Sequence, residues 1–215
     1  MRPTLIAIAA LGEIVSWRFV ARSGRASEWD LMIVVFIVQG AIGLIGWHID
    51  WYTGRAAATV VAAGLAAGAV LYGATRAFVG VADRSPLFRS HVAHRYEHAR
   101  LVSLPVGLVL ALLIAVPGEE LFWRGFVQGI AGDHRSELVA MSVALAGYIC
   151  VKAASGSLPL IAAAVVGGAV WGGLAVFAGG ILAAVLCHGL WTGLMLAFPP
   201  TAGRDDPPPG ERMAA

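Results

Sequence analysis

Long apolar stretches follow one another along most of this 215-residue chain, separated by short polar segments. A helix that crosses a bilayer needs about 20 mostly apolar residues. Stretches near this length predict about seven transmembrane helices, within a range of six to eight, at residues 4–21, 31–48, 56–75, 101–118, 136–154, 160–177 and 180–198. The pattern therefore predicts an all-α fold, a polytopic transmembrane helix bundle that forms a single domain over residues 1–198.

Polar residues interrupt or border this pattern at a few places. Glu13 and Arg18 lie inside the first apolar stretch, which makes it the weakest of the predicted spans. Residues 76–100 form the main polar connection and carry an excess of Arg. Residues 199–215 are polar and rich in Pro, so we expect them to form a disordered tail.

The composition excludes an ordinary soluble domain. Hydrophobic residues make up 59% of the chain and charged residues only 13%, whereas a soluble domain carries about 25% charged residues. The basic residues stand mainly in connecting segments and form no stripe interleaved with aromatics, so we expect no nucleic-acid partner. The Ala, Gly and Arg bias indicates a bacterial genome. We therefore expect an integral, multi-pass protein of a bacterial cell membrane.

Three charged residues lie together in the segment PGEELFWRGFVQG, at the end of an apolar run. Glu120 and Arg124 are four residues apart, so on a helix they can pair on one face. Glu119 is turned about 100° away by the helical repeat and is left for another partner. Because each charge near mid-membrane costs roughly 2.5–3.5 kcal/mol on insertion scales, these side chains should face the bundle interior.

Two further ionisable residues lie in later spans, each one helical turn from a hydroxyl-bearing residue. Lys152 follows Tyr148, and His188 precedes Thr192. Taken singly, Lys152 fits a side chain that reaches the membrane interface, and His188 fits a hydrogen-bonded packing residue. Taken with the Glu pair, they place ionisable groups on three helices of one bundle.

Such a set has a plausible chemistry. A carboxylate in an apolar site can act as general base toward water, and a neighbouring imidazole or hydroxyl can stabilise a developing oxyanion. Attack of this water on a peptide carbonyl would hydrolyse an amide without a covalent intermediate. The chain contains no G-x-S-x-G elbow and no H-E-x-x-H zinc-protease motif.

The string EELFWRG, followed by one-turn pairs on two later helices, resembles the CPBP family of intramembrane proteases. That family includes the CAAX-processing endopeptidases and the Abi bacteriocin-immunity proteins, and the resemblance covers roughly residues 101–198. The resemblance implies that Glu119 activates water, and that Glu120 and Arg124 orient or neutralise the carboxylate of Glu119. It also implies that His188 and Thr192 help to steady the oxyanion, with Tyr148 as the aromatic residue of the second motif.

The chain departs from the family pattern at two positions. Thr192 stands where the family has Asn, and its hydroxyl still donates a hydrogen bond. Lys152 stands where the family has His, and an ammonium offers donors but no acceptor. A charged Lys152 is expected to pair with Glu119, whereas a neutral one could itself act as a base. Family analogy admits a divalent metal such as zinc, with Glu119 and His188 as the weak candidate ligands.

A separate group of imidazoles lies in the polar connection, in the string HVAHRYEHAR. His91, His94 and His98 would share one face of a helix. This spacing fits solvated side chains of a helix at the membrane surface, and less well a metal site.

Three functions are compatible with these residues. The first is a membrane-embedded endopeptidase that acts on a membrane-associated protein or peptide. The second is a catalytically impaired relative that binds or scaffolds a membrane protein. The third is a small ion-coupled transporter, since buried charges also mark ion pathways, but many transporters are built from repeated halves and none is detectable here.

Overall fold

The computed structural model describes residues 2–23, 28–99 and 102–200, and the side chains at 21–29 and 93–101 are not described. The predicted tail at 199–215 falls outside this range from residue 201 onward. Within the described residues the chain forms eight helices: α1 (Arg2–Ser23), α2 (Glu28–Gly46), α3 (Ala57–Ala82), α4 (Pro86–Ala99), α5 (Leu104–Gly132), α6 (Glu137–Ala153), α7 (Leu158–Ala178) and α8 (Leu182–Ala197).

The all-α bundle predicted from the apolar pattern is confirmed. In the part of the chain that the structure describes, four helices are long and apolar enough to cross a membrane, at Arg2–Val20, Ala57–Ala82, Leu104–Gly132 and Leu158–Ala178. Two shorter apolar helices span Asp30–Gly46 and Leu182–Ala197, so the count is compatible with the predicted six to eight. Helix α4 is polar and occupies much of the connection between the third and fourth predicted spans.

The largest departure from the predicted spans is at α5. The apolar run predicted a helix over residues 101–118, but α5 continues to Gly132 and places Glu119 and Glu120 near its middle. A prediction from hydrophobicity ends the span at these charges. The helix continues because the charged side chains pair inside the bundle.

Helix α5 also contains two wider turns of π-helix, at Ala111–Ala115 and Leu121–Val127. Pro117 follows the first of them and lacks a backbone N–H, and its ring would crowd the carbonyl four residues earlier in a regular α-helix. A π-turn loosens the backbone at this place, and such turns occur frequently at functional sites. The two π-segments flank Val116–Glu120, the segment that carries both glutamates.

Close backbone contacts bring the helices around α5 together. Helix α3 packs along α8, and a Cβ at Gly64 would lie only 2.7 Å from the carbonyl oxygen of Ala183. Helix α2 packs along α5, and a Cβ at Gly43 would lie 2.7 Å from the carbonyl oxygen of Leu121. Small residues at these crossings allow helices to approach closely in lipid, where packing replaces the hydrophobic effect.

Candidate active site

Ionisable side chains from three helices meet in the interior of the bundle. Glu119 and Glu120 lie on α5, Lys152 on α6 and His188 on α8, and all four are buried. Arg124, one turn after Glu120, is buried as well. The structure therefore brings together the residues that the sequence placed on three separate spans.

The Lys152 side chain turns into the bundle, and not outward, and is only 2% exposed. Its Nζ contacts Oε1 of Glu119, which is the pairing expected for a charged lysine at this position. The same Nζ donates to Oε1 of Glu13 at 2.6 Å. One ammonium therefore serves two carboxylates from two helices, α1 and α5.

The second oxygen of Glu119 faces different groups. Oε2 accepts a hydrogen bond from the hydroxyl of Tyr148 at 3.2 Å. Nε2 of His188 lies 3.9 Å from the same oxygen, which is too far for a direct hydrogen bond. Glu119 thus has one oxygen held by Lys152 and another that borders a gap between carboxylate and imidazole.

Glu120 holds the other side of the imidazole. Its Oε1 lies 2.8 Å from Nδ1 of His188 and 3.2 Å from Nη1 of Arg124, so the expected pair of Glu120 and Arg124 is present. Nη2 of Arg124 also donates to the carbonyl oxygen of Gly168 at 3.3 Å. A carboxylate acceptor at Nδ1 favours a proton on that nitrogen, which leaves Nε2 directed toward Glu119.

Aromatic rings fix the imidazole and the guanidinium. The ring of Trp171 stacks on His188 with centroids 3.7 Å apart and planes 14° from parallel. The guanidinium carbon of Arg124 lies 4.6 Å from the centre of the Tyr148 ring and 5.2 Å from that of Trp171. Such contacts favour a cation over the face of an aromatic ring and restrict its orientation.

These side chains border a large and mostly apolar cavity of about 550 Å³. Its wall includes Glu119, Tyr148, Lys152 and His188, so the polar cluster is reached from this space. Thr192, one turn after His188, also lies in the wall. The remaining lining is largely apolar and comes from most helices of the bundle. A cavity with few polar groups on an apolar wall is typical of sites for molecules with apolar parts.

Sequence reasoning missed three residues that contact the cluster. Glu13 appeared only as an interruption of the first span, yet it is fully buried and pairs with Lys152. Gln39 donates to Glu13 from α2, and Trp171 stacks on His188 from α7. A charge within an apolar run is itself a signal, because a membrane helix turns such a residue toward the bundle interior. No comparable signal marks Gln39 or Trp171.

The donor set does not suit the divalent metal that family analogy admits. The ammonium of Lys152 lies on Glu119, and the guanidinium of Arg124 lies on Glu120, so cations already occupy both carboxylates. Within the described residues no three His, Cys, Asp or Glu side chains are grouped so that they could hold a metal ion. We therefore derive no catalytic step through a metal.

The imidazoles of the polar connection lie apart from this cluster in sequence. Nδ1 of His91, on α4, accepts a hydrogen bond from the backbone N–H of Leu158 at 3.2 Å, at the start of α7. The side chains of His94 and His98 lie outside the described residues. His91 therefore has a structural partner, and the proposed grouping of the three rings is a prediction only.

An all-α membrane protein with a buried ionisable cluster beside an apolar cavity is the class defined by the fold and the site. Residues 101–194, a little under half of the chain, match the family model described as Rce1-like, type II CAAX prenyl endopeptidase. The resemblance to the CPBP and CAAX protease family is thereby confirmed over this segment, and it supports a protease-like function in the membrane. No curated protein and no solved structure matches the chain.

Proposed function

We propose that the protein is a membrane-embedded endopeptidase in which Glu119 activates water to hydrolyse a peptide bond. The observation that carries this proposal is that Glu119 and His188 both line the cavity, with Oε2 of Glu119 3.9 Å from Nε2 of His188. A water at ordinary hydrogen-bond distance from both atoms would bridge this gap. The match of residues 101–194 to the model of a protease family is an independent argument for this function.

The reaction needs a base that takes a proton from water and later returns this proton to the leaving group. Oε2 of Glu119 would take a proton from the bridging water while the water oxygen attacks the carbonyl carbon of the substrate. In the tetrahedral intermediate the carbonyl oxygen carries the negative charge. The proton held by Glu119 would then pass to the amide nitrogen as the C–N bond breaks, which releases a carboxylic acid and an amine.

The neighbouring groups are suited to steady the developing charge. His188, held at Nδ1 by Glu120 and stacked on Trp171, would accept a hydrogen bond from the attacking water at its unprotonated Nε2, and as an imidazolium it would donate from Nε2 to the oxyanion. The Thr192 hydroxyl lies in the same wall and can donate to the oxyanion. Lys152 would add a fixed positive charge next to Glu119. Fixed donors of this kind stabilise a transition state because they need no rearrangement during the reaction.

The cavity suggests the class of substrate. The wall of the cavity is mostly apolar. The cavity is lined by residues of α3, α4 and α7 and by Glu119. We expect the substrate to be a membrane-associated protein or peptide whose apolar part occupies this space. The matched family is named for prenylated CAAX substrates, and a lipid-modified peptide is accordingly one member of this class. We also expect the protein to be a multi-pass protein of a bacterial cell membrane.

The test is cleavage of membrane-anchored fluorogenic peptides by the purified protein in liposomes. We expect Glu119→Gln to lower kcat at least about 100-fold, the usual contribution of a general base. Glu137→Gln is the matched control, because Glu137 is an exposed glutamate at the start of α6. Equal cleavage by wild type and Glu119→Gln would refute the proposed mechanism.

One observation favours a second candidate function, a catalytically impaired relative that binds or scaffolds a membrane protein. The ammonium of Lys152 lies directly on Glu119 and occupies one of the two oxygens that a general base would use. Lys152→His restores the family residue and separates the two candidates. Activity in wild type supports the endopeptidase, whereas activity that emerges only in Lys152→His supports the impaired relative.

A further inference from the structure

A third carboxylate reaches the candidate active site from the N-terminal helix. Glu13 lies in α1, far from the segment 101–194 that matches the protease family. Its side chain is fully buried. Three donors converge on it: Nε1 of Trp17 at 3.2 Å, Nε2 of Gln39 at 2.6 Å and Nζ of Lys152 at 2.6 Å.

This arrangement is built to hold an ionised carboxylate. A buried carboxylate is costly unless it is paired and hydrogen-bonded, and here the cation is Lys152 while two neutral donors add one hydrogen bond to each oxygen. The rings of Trp17, Phe36 and Tyr148 lie 5.0 to 5.4 Å from Nζ and enclose the ammonium. The position of Nζ is therefore set from α1 and α2 as well as from α5.

The charges explain why Lys152 and Glu13 belong together. A neutral histidine at position 152, as the family pattern has it, would leave Glu119 with its own single negative charge. Lysine alone would cancel that charge. Lysine together with Glu13 returns the local sum to one negative charge, because both carboxylates contact the same ammonium.

We infer that Glu13 is a positioning residue of the endopeptidase site: it fixes and offsets the Lys152 ammonium so that Glu119 keeps its capacity to act as a base. This inference rests on the proposed function and extends it. It assigns α1, which lies outside the family match, a part in the site. It also explains how the chain can carry lysine where the family has histidine.

The activity test is a double-mutant cycle between positions 13 and 152. Glu13→Gln keeps the size and hydrogen-bonding capacity of the side chain and removes its charge. In the wild-type background we expect it to lower kcat about tenfold or more, with KM nearly unchanged, because Nζ of Lys152 would lose one of the contacts that fix its position beside Glu119. In the Lys152→His background the same change should alter kcat less than about threefold, because Glu13 acts through the ammonium that this background lacks and coupled residues are not additive.

The cycle distinguishes positioning from a general structural role. An equal fold loss in both backgrounds, or no loss in either, would overturn the inference. Glu137→Gln serves again as the matched control, and we expect it to behave like wild type in both backgrounds.

A second readout does not depend on activity. Lys152 is the only lysine of the chain, so protein labelled with 13C- and 15N-lysine gives a single lysine side-chain signal by NMR. We expect Glu13→Gln to move this signal and Glu137→Gln to leave it in place. If no form of the protein cleaves any peptide, the proposed function fails, and the NMR comparison still decides whether Glu13 sets the environment of Lys152. A signal that Glu13→Gln leaves unmoved would overturn the inference.

Discussion

The shared ammonium of Lys152 predicts an unequal effect of removing its partners. Lys152→Met fills a similar volume but takes away the one cation that contacts both Glu13 and Glu119. Two buried carboxylates then face each other without a counter-charge. In contrast, Glu13→Gln leaves Lys152 paired with Glu119.

The contacts of Lys152 predict that Lys152→Met lowers the free energy of unfolding more than Glu13→Gln does. Breaking a buried ion pair by removing one partner costs about 3–5 kcal/mol, mostly because the remaining charge stays buried. Lys152→Met leaves two such charges, so we expect a loss in the upper part of this range. Glu13→Gln removes one charge-assisted hydrogen bond and should cost roughly 1.5–3 kcal/mol. Neutralising all three positions, with Glu13→Gln, Glu119→Gln and Lys152→Met together, should recover most of the loss, because no unpaired charge remains buried.

Thermal unfolding in detergent, followed by circular dichroism, measures this order. For a chain of this size 1 kcal/mol corresponds to about 2–4 °C in Tm, so a loss of about 4–5 kcal/mol in Lys152→Met should lower Tm by roughly 8–20 °C. Glu13→Gln should lower it less, and the triple variant should lie closest to wild type. A Glu13→Gln variant that unfolds below Lys152→Met, or a triple variant less stable than Lys152→Met, would show that the ammonium is not shared as the structure has it.

Three further outcomes are expected. A chelator such as EDTA should leave cleavage unchanged, because Lys and Arg already neutralise the carboxylates of the site; a loss that added zinc restores would contradict this. Gly64→Ala should cost about 1–3 kcal/mol in thermal unfolding, since its Cβ would lie 2.7 Å from the backbone carbonyl oxygen of Ala183, whereas Gly73→Ala on the same helix, with nothing within 4 Å, is the neutral control. Trp171→Ala should lower kcat about tenfold by freeing His188 from its stacked orientation, and Trp171→Phe should retain most activity in the same assay.

The fold was predictable because a membrane span is mainly a matter of apolar length. Seven apolar stretches correspond to seven helices, with ends that differ by a few residues for most of them. Helix α5 is the exception, because hydrophobicity cannot show that Glu119, Glu120 and Arg124 are neutralised by partners elsewhere. The charges that ended the predicted span are instead the reason why the helix faces inward at this point.

The site was predictable only where its residues lie within one helix or match a family pattern. Glu120 and Arg124 are neighbours by helical spacing, and His188 and Tyr148 were placed by the pattern of motifs. The pairing of Glu13 with Lys152 joins residues 139 positions apart in sequence. Neither spacing nor the family pattern states which helices are neighbours in a bundle. This contact therefore required the structure.

The choice of lysine at position 152 follows from the same contact. Of the 15 Lys and Arg residues in the chain, Lys152 is the single lysine and all the others are arginine. A guanidinium spreads its charge over a planar group, and it commonly binds one carboxylate through two parallel hydrogen bonds. An ammonium is a compact point charge whose hydrogens diverge from one nitrogen. Nζ of Lys152 contacts Glu13 on one helix and Glu119 on another, and a compact ammonium suits two carboxylates that converge on one atom. The lysine that stands where the family pattern has histidine thus suits the geometry of two converging carboxylates.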